Sequence, residues 1–144
     1  MQNEELLNAW LHLSTAINNE RLVSDMPYNE SLICNILYRN QKNSPEKELT
    51  ATDLCQMTRM LKSQMNRTLT GMEEKGTIIR ERSEKDKRRI YVRMAESQIE
   101  AYEQMHRKIL ALVDAIIEKA GEEQTNRIIQ TFHYVADIAE GVLL

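Results

Sequence analysis

Only four glycines and two prolines interrupt the 144 residues. A chain so poor in breakers favours helix, and it holds no glycine-rich loop of the kind that cradles a nucleotide phosphate. The two cysteines, Cys34 and Cys55, are far from any CxxC spacing. A reduced, cytoplasmic compartment is the simplest expectation. No apolar run approaches the ~18 residues that span a bilayer. The start, MQNEELL, is acidic and leads into an amphipathic pattern, unlike a secretory signal, so no membrane partner is expected. His12, His106 and His133 are scattered. Glu103 and His106 share a helical face, but no HxxxH pair, Cys/His cluster or Ser/His/Asp arrangement accompanies them. Nothing supports an enzyme, a metal site or a cofactor.

What is present is charge, unevenly placed. Seven of the fourteen residues in RERSEKDKRRIYVR, Arg80 to Arg93, are Lys or Arg, in a chain of net charge −3. From Arg59 to Arg93 eleven basic residues face five acidic ones, which makes that segment +6. The remaining eight basic and seventeen acidic residues give −9. A local excess of that size points to a polyanion, and nucleic acid is the usual one.

Hydrophobic periodicity places the excess. Leu6, Trp10, Leu13 and Ile17, with Leu7 and Leu11 beside them, form one helical face, and Asp25-Met26-Pro27 ends it. Leu32, Ile33, Ile36 and Leu37 mark a second helix, followed by the polar loop RNQKNSPEKE. Thr50 or Thr52 offers the cap of a short third helix carrying Leu54 and Met57. A fourth runs from about 61 to 75 and stops at Gly76; its buried stripe is Met65, Leu69 and Met72. Ser63, Arg67, Thr70 and Glu74 take the opposite side, flanked by Gln64 and Asn66. The period then changes to two: Ile78, Arg80 and Arg82 alternate with Ile79 and Glu81, and Ile90, Val92 and Met94 with Arg89, Tyr91 and Arg93. Two strands joined through SEKDK make a basic hairpin. Two long helices follow, one of about 24 residues ending at Gly121 and one carrying Ile128, Ile129, Phe132, Val135 and Ala139. Trp10, Tyr38, Tyr102 and the methionines read as core.

The fold class expected is therefore mainly α with a small β-hairpin wing: six helices in a winged helix-turn-helix, dimeric through the N- and C-terminal helices. Residues 29–94 would be the DNA-binding region, with the recognition helix at about 61–75 and the wing at about 77–94. Residues 1–22 and 96–144 would be the dimerisation region. The second helix of such a pair enters the major groove, and the hairpin lies beside it with its cations near phosphates or the minor groove. Gln64, Asn66 and Arg67 carry side chains able to pair bidentately with base edges. Lys62 and Ser63 sit near the helix start, where phosphate is favoured. Asp86 is placed to orient Arg88 towards a narrow minor groove, while Lys85, Lys87, Arg89 and Arg93 suit phosphate contacts. Taken alone, a polar helix face is only a solvated surface and an Asp86–Arg88 pair is worth ~0–1 kcal/mol. The +6 segment that holds them favours DNA.

The run from Thr50 to Met94 resembles the DNA-binding core of the MarR family of bacterial transcriptional regulators. Lys62-Ser63, Arg67, Met72-Glu73-Glu74-Lys75-Gly76 and Asp86-x-Arg88 carry the resemblance, and the flanking helices fit over nearly the whole chain. It implies a homodimer on a pseudo-palindromic double-stranded operator, usually a repressor, released in many members by a small aromatic or anionic ligand, a metal or an oxidant. It also implies a ligand pocket where the dimer helices meet the DNA-binding module. Leu61 departs from the pattern, since family members often have Ser there and Leu offers no capping oxygen. A winged-helix module that binds protein, and a redox- or metal-responsive regulator of the same fold, are the alternatives.

Overall fold

A computed structural model describes residues 1–19 and 26–143. Asp25, assigned to the first break, lies outside them, as do residues 20–22 of the expected N-terminal dimerisation segment. The described residues hold six helices and three strands: α1 (Gln2–Asn19), α2 (Tyr28–Asn43), β1 (Leu49–Thr50), α3 (Ala51–Thr58), α4 (Lys62–Glu74), β2 (Ile78–Arg82), β3 (Ile90–Met94), α5 (Glu96–Ala120) and α6 (Glu122–Leu143). The chain divides into two compact units, Met1–His106 and Arg107–Leu144.

The first unit is built around the sheet, whose order is β1-β3-β2. β2 and β3 pair antiparallel with Ile78 opposite Met94 and Arg80 opposite Val92. β1 joins the other edge through Leu49 opposite Val92 and Thr50 opposite Tyr91. The sequence reading missed β1, because a two-residue strand carries no period. Beneath the sheet, Ile33, Cys34 and Leu37 of α2, Leu54 of α3 and Met65, Leu69 and Met72 of α4 meet Ile78 and Met94, all essentially without solvent contact. The stripe read from α4 is thus its buried face.

Local chemistry sets the angle between α3 and α4. Thr50 caps α3: its hydroxyl accepts from the Asp53 N–H at 3.1 Å and its own N–H donates to the Asp53 carboxylate at 2.9 Å. This reciprocal box satisfies two otherwise orphaned donors. α3 ends at Arg59, in the left-handed region at φ 62°, with its N–H on the Cys55 carbonyl. The Thr58 hydroxyl donates to the Leu54 carbonyl and accepts from the Met60 N–H, stiffening the turn. α4 then starts at Leu61 without a side-chain cap. It closes where the Gly76 N–H reaches the Glu73 carbonyl and the Thr77 N–H reaches the Met72 carbonyl. That pattern needs the left-handed backbone of Gly76, at φ 79°.

Three core assignments fail. Met1 is 89% exposed, Trp10 67% and Met57 54%. Trp10 and Met57 obey helical spacing, but the period marks a face without supplying a neighbour to cover it. No helix of the described residues is long and apolar enough to cross a membrane.

Candidate nucleic-acid interface

α4 presents its polar side outward. Lys62, Ser63, Asn66, Arg67 and Thr70 are exposed and Gln64 is half-buried. Among the described residues no hydrogen bond or ion pair occupies the side chains of Lys62, Ser63, Asn66 or Arg67. They are free to meet a ligand. Thr70 differs, since its hydroxyl accepts from the Arg80 guanidinium at 3.1 Å.

The wing tip is organised by Asp86. Its N–H donates to the Ser83 hydroxyl at 3.2 Å and its carbonyl accepts from the Arg89 N–H at 2.9 Å. Its carboxylate accepts from the Arg88 N–H at 3.1 Å and from Arg88 Nε at 3.3 Å, and Arg89 Nε lies 4.0 Å away. One side chain therefore closes the turn and sets the direction of the following arginine, as aspartates do in Asx-turns. The Arg88 side chain is still 93% exposed. Lys85, Lys87 and Arg89 are exposed around it. The role of Ser83 was not read from the sequence; a serine three residues before an aspartate in a loop was its only signal.

The wing base uses its cations otherwise. Arg80 donates to Glu73 through Nε at 3.2 Å and through a terminal nitrogen at 2.9 Å, and its backbone N–H donates to the other Glu73 oxygen at 3.2 Å. These bonds hold the Glu73 carboxyl below its usual range. Arg93 pairs with Glu81 at 3.0 Å, and Arg82 donates to the Lys87 carbonyl. The seven cations from Arg80 to Arg93 thus separate into a braced base and an open tip.

Helix and tip meet in one cleft of about 430 Å³, lined by Lys62 and Asn66 of α4, Arg88, Arg89 and Ile90 of the wing, and the capped start of α3 from Thr50 to Asp53. Lysine, two arginines and a helix N-terminus converge there, a combination that suits a phosphate.

The remaining candidates hold no such arrangement. Cys34 is buried and its thiol is pushed up to about 11, mainly by burial and further by the Glu30 charge, so it stays protonated. Glu103 faces Lys42 at 3.4 Å, and His106 stacks on Tyr102 with ring centroids 5.9 Å apart. Among the described residues no three His, Cys, Asp or Glu side chains cluster to hold a metal.

Residues 17–105 match the family of transcriptional regulators SarA/Rot. The chain belongs to that family. No curated protein sequence matches it significantly. Among solved structures, the chain is similar to FabT of Streptococcus pneumoniae in complex with DNA, with a TM-score of 0.72 and 19% identity over 98% of this chain and 97% of that one. It is similar to S. aureus MepR in a DNA complex, with a TM-score of 0.72 and 14% identity over 96% and 98%. It is also similar to NadR in complex with 4-hydroxyphenylacetate, with a TM-score of 0.67 and 22% identity over 96% and 94%. The SarA/Rot match and these likenesses bear out the resemblance and the winged helix-turn-helix of six helices and a hairpin wing read from the sequence. The SarA/Rot family is one of transcriptional regulators rather than enzymes.

Proposed function

We propose that the chain is a sequence-specific regulator that binds a pseudo-palindromic double-stranded DNA operator as a homodimer. α4 enters the major groove, where Gln64, Asn66 and Arg67 read base edges. The tip lies against the adjoining backbone and minor groove, with Arg88 held by Asp86 and with Lys85, Lys87 and Arg89 on phosphates. The cleft shared by Lys62, Asn66, Arg88 and Arg89 carries this reading, because it puts the recognition helix and the wing tip on one surface.

Two-fold symmetry follows from the same proposal. The faces of α1 and α6 expose Leu6, Trp10, Phe132 and Val135, each at 51% or more, and a second copy of the chain covers them. Two recognition helices then meet half-sites about one turn, ~10 bp, apart. Repression, relieved by a small aromatic or anionic effector in the cytoplasm, completes the proposal. The complexes of NadR with 4-hydroxyphenylacetate and of MepR with ethidium bromide support the effector.

Fluorescence anisotropy on DNA from upstream of the protein's own coding sequence, repeated across salt concentrations, tests the proposal. Saturable binding with a steep salt dependence, lost when five base pairs separate the half-sites, is expected. Binding to no DNA at any salt would leave the protein-interaction module as the better account.

A further inference from the structure

Arg80 sits inside the most basic stretch of the chain, yet it is turned away from the tip. Its position opposite Val92 puts it on the sheet face that meets α4. There its guanidinium makes two bonds to Glu73 Oε1 and one to Thr70 Oγ1, while its backbone N–H takes Glu73 Oε2. Four bonds thus join the last two turns of α4 to the middle of β2. Between them the chain passes only through the left-handed turn at Gly76. The Arg80 side chain is 23% exposed, against 93% for Arg88.

We infer that Arg80, Glu73 and Thr70 form a clamp that fixes the angle between recognition helix and wing, and that Arg80 is a positioning residue rather than a phosphate contact. This rests on the DNA-binding reading above and assigns Thr70 and Arg80 within it. The charge of Arg80 is balanced by Glu73, so releasing counterions from DNA is left to the tip. What Arg80 supplies is its fork: a planar guanidinium reaches a carboxylate and a hydroxyl at once, which an ammonium on a flexible stem does not reproduce. A wing free to tilt about Gly76 would present Arg88 to the minor groove in many directions, and each would have to be lost on binding.

The substitutions Arg80→Lys, Arg80→Met and Glu73→Gln separate the two roles. Operator affinity is measured by anisotropy across salt concentrations, and backbone hydrogen exchange is measured on the DNA-free protein. Under the clamp, all three variants lose affinity by roughly tenfold while the slope of log K against log salt stays at the parent value. Amides of residues 83–91 exchange faster, and those of Ile33 to Leu37 keep their protection, which separates a loosened wing from a destabilised fold. If Arg80→Lys binds like the parent while Arg80→Met loses about one unit of slope, Arg80 is a phosphate contact and the clamp is overturned. Unchanged wing exchange in Glu73→Gln overturns it as well. A parent chain that binds no DNA refutes the function proposed above, and the exchange comparison then decides the clamp by itself: faster wing exchange upholds it and unchanged exchange removes it.

Discussion

The winged-helix part of the first unit and the terminal helices handle apolar side chains in opposite ways. Around the sheet, Ile33, Leu54, Met65, Leu69 and Met72 have no solvent exposure, and the charge lies outside. Along α1 and α6, Leu6 is 69% exposed, Trp10 67%, Phe132 56% and Tyr134 67%. Both regions show the same helical period in sequence. The difference is whether the chain itself provides the second surface. Burying a large apolar side chain is worth about 1.5–3 kcal/mol, so faces of this size are a standing drive towards association. The first region is complete within one chain, and the second is the face assigned to a second copy in the proposal above.

The sharpest way to break that contrast is to put charge on the unfinished face. Phe132→Glu combined with Val135→Glu places two carboxylates one helical turn apart on α6. The dimer should be lost altogether, since burying an unpaired charge costs several kcal/mol. Sedimentation at micromolar concentration checks this, and a double variant that still sediments as a dimer would show that α6 is not the interface. The finished region breaks differently. Leu69→Ala should cost about 2–5 kcal/mol in a denaturant titration, through lost transfer energy and a cavity under the sheet. A loss below ~1 kcal/mol would mean that this core repacks freely.

Within the finished region the exposed cations divide again. Arg67→Ala should cost ~1–3 kcal/mol of operator binding and relax discrimination at one base position. Arg88→Ala should instead lower the salt slope by ~1 and flatten any preference for A·T-rich flanks. Asp86→Ala leaves the guanidinium in place but releases it, so its defect should be a milder form of the same kind. Affinities for operator variants at several salt concentrations distinguish the three. If Arg88→Ala matched the parent in affinity, slope and flank preference, the tip would have no part in reading DNA.

How far the sequence reached follows from the same contrast. The stripe of α4, the hairpin alternation and the stop at Gly76 were legible, because each is set by residues a few positions apart. The pairing of Asp86 with Arg88 was legible for the same reason. Four features were not. β1 is too short to show a period. Trp10 lies on an apolar helix face that is exposed in the single chain. The role of Ser83 depends on a turn geometry that spacing alone does not determine. Arg80 was counted in the basic stretch because charge adds along a sequence, whereas its partner Glu73 lies seven residues back, across the tight turn between helix and strand. A sum of charges is read directly from residues, but the presented charge is known only once the partners are placed.

The smallest expected effect lies on α4 itself. Gly71 sits in the interior of the helix, and a Cβ built there meets nothing within 4 Å. Glycine inside a helix is destabilising by roughly 0.5–1 kcal/mol relative to alanine, because the unfolded chain has more freedom to lose. Gly71→Ala should therefore raise stability by about that amount, seen as a higher denaturant midpoint with an unchanged m-value. Its effect on DNA is the more informative half. Position 71 lies one turn beyond Arg67 on the same polar face, yet it is nine residues from the start of α4, ~13 Å along the axis. Recognition helices meet base edges with their N-terminal residues. The added methyl group should thus sit clear of the duplex, and operator affinity should stay at the parent value while stability rises. A gain in stability paired with a loss of affinity would place Gly71 against DNA, and α4 would then lie along the groove rather than point into it.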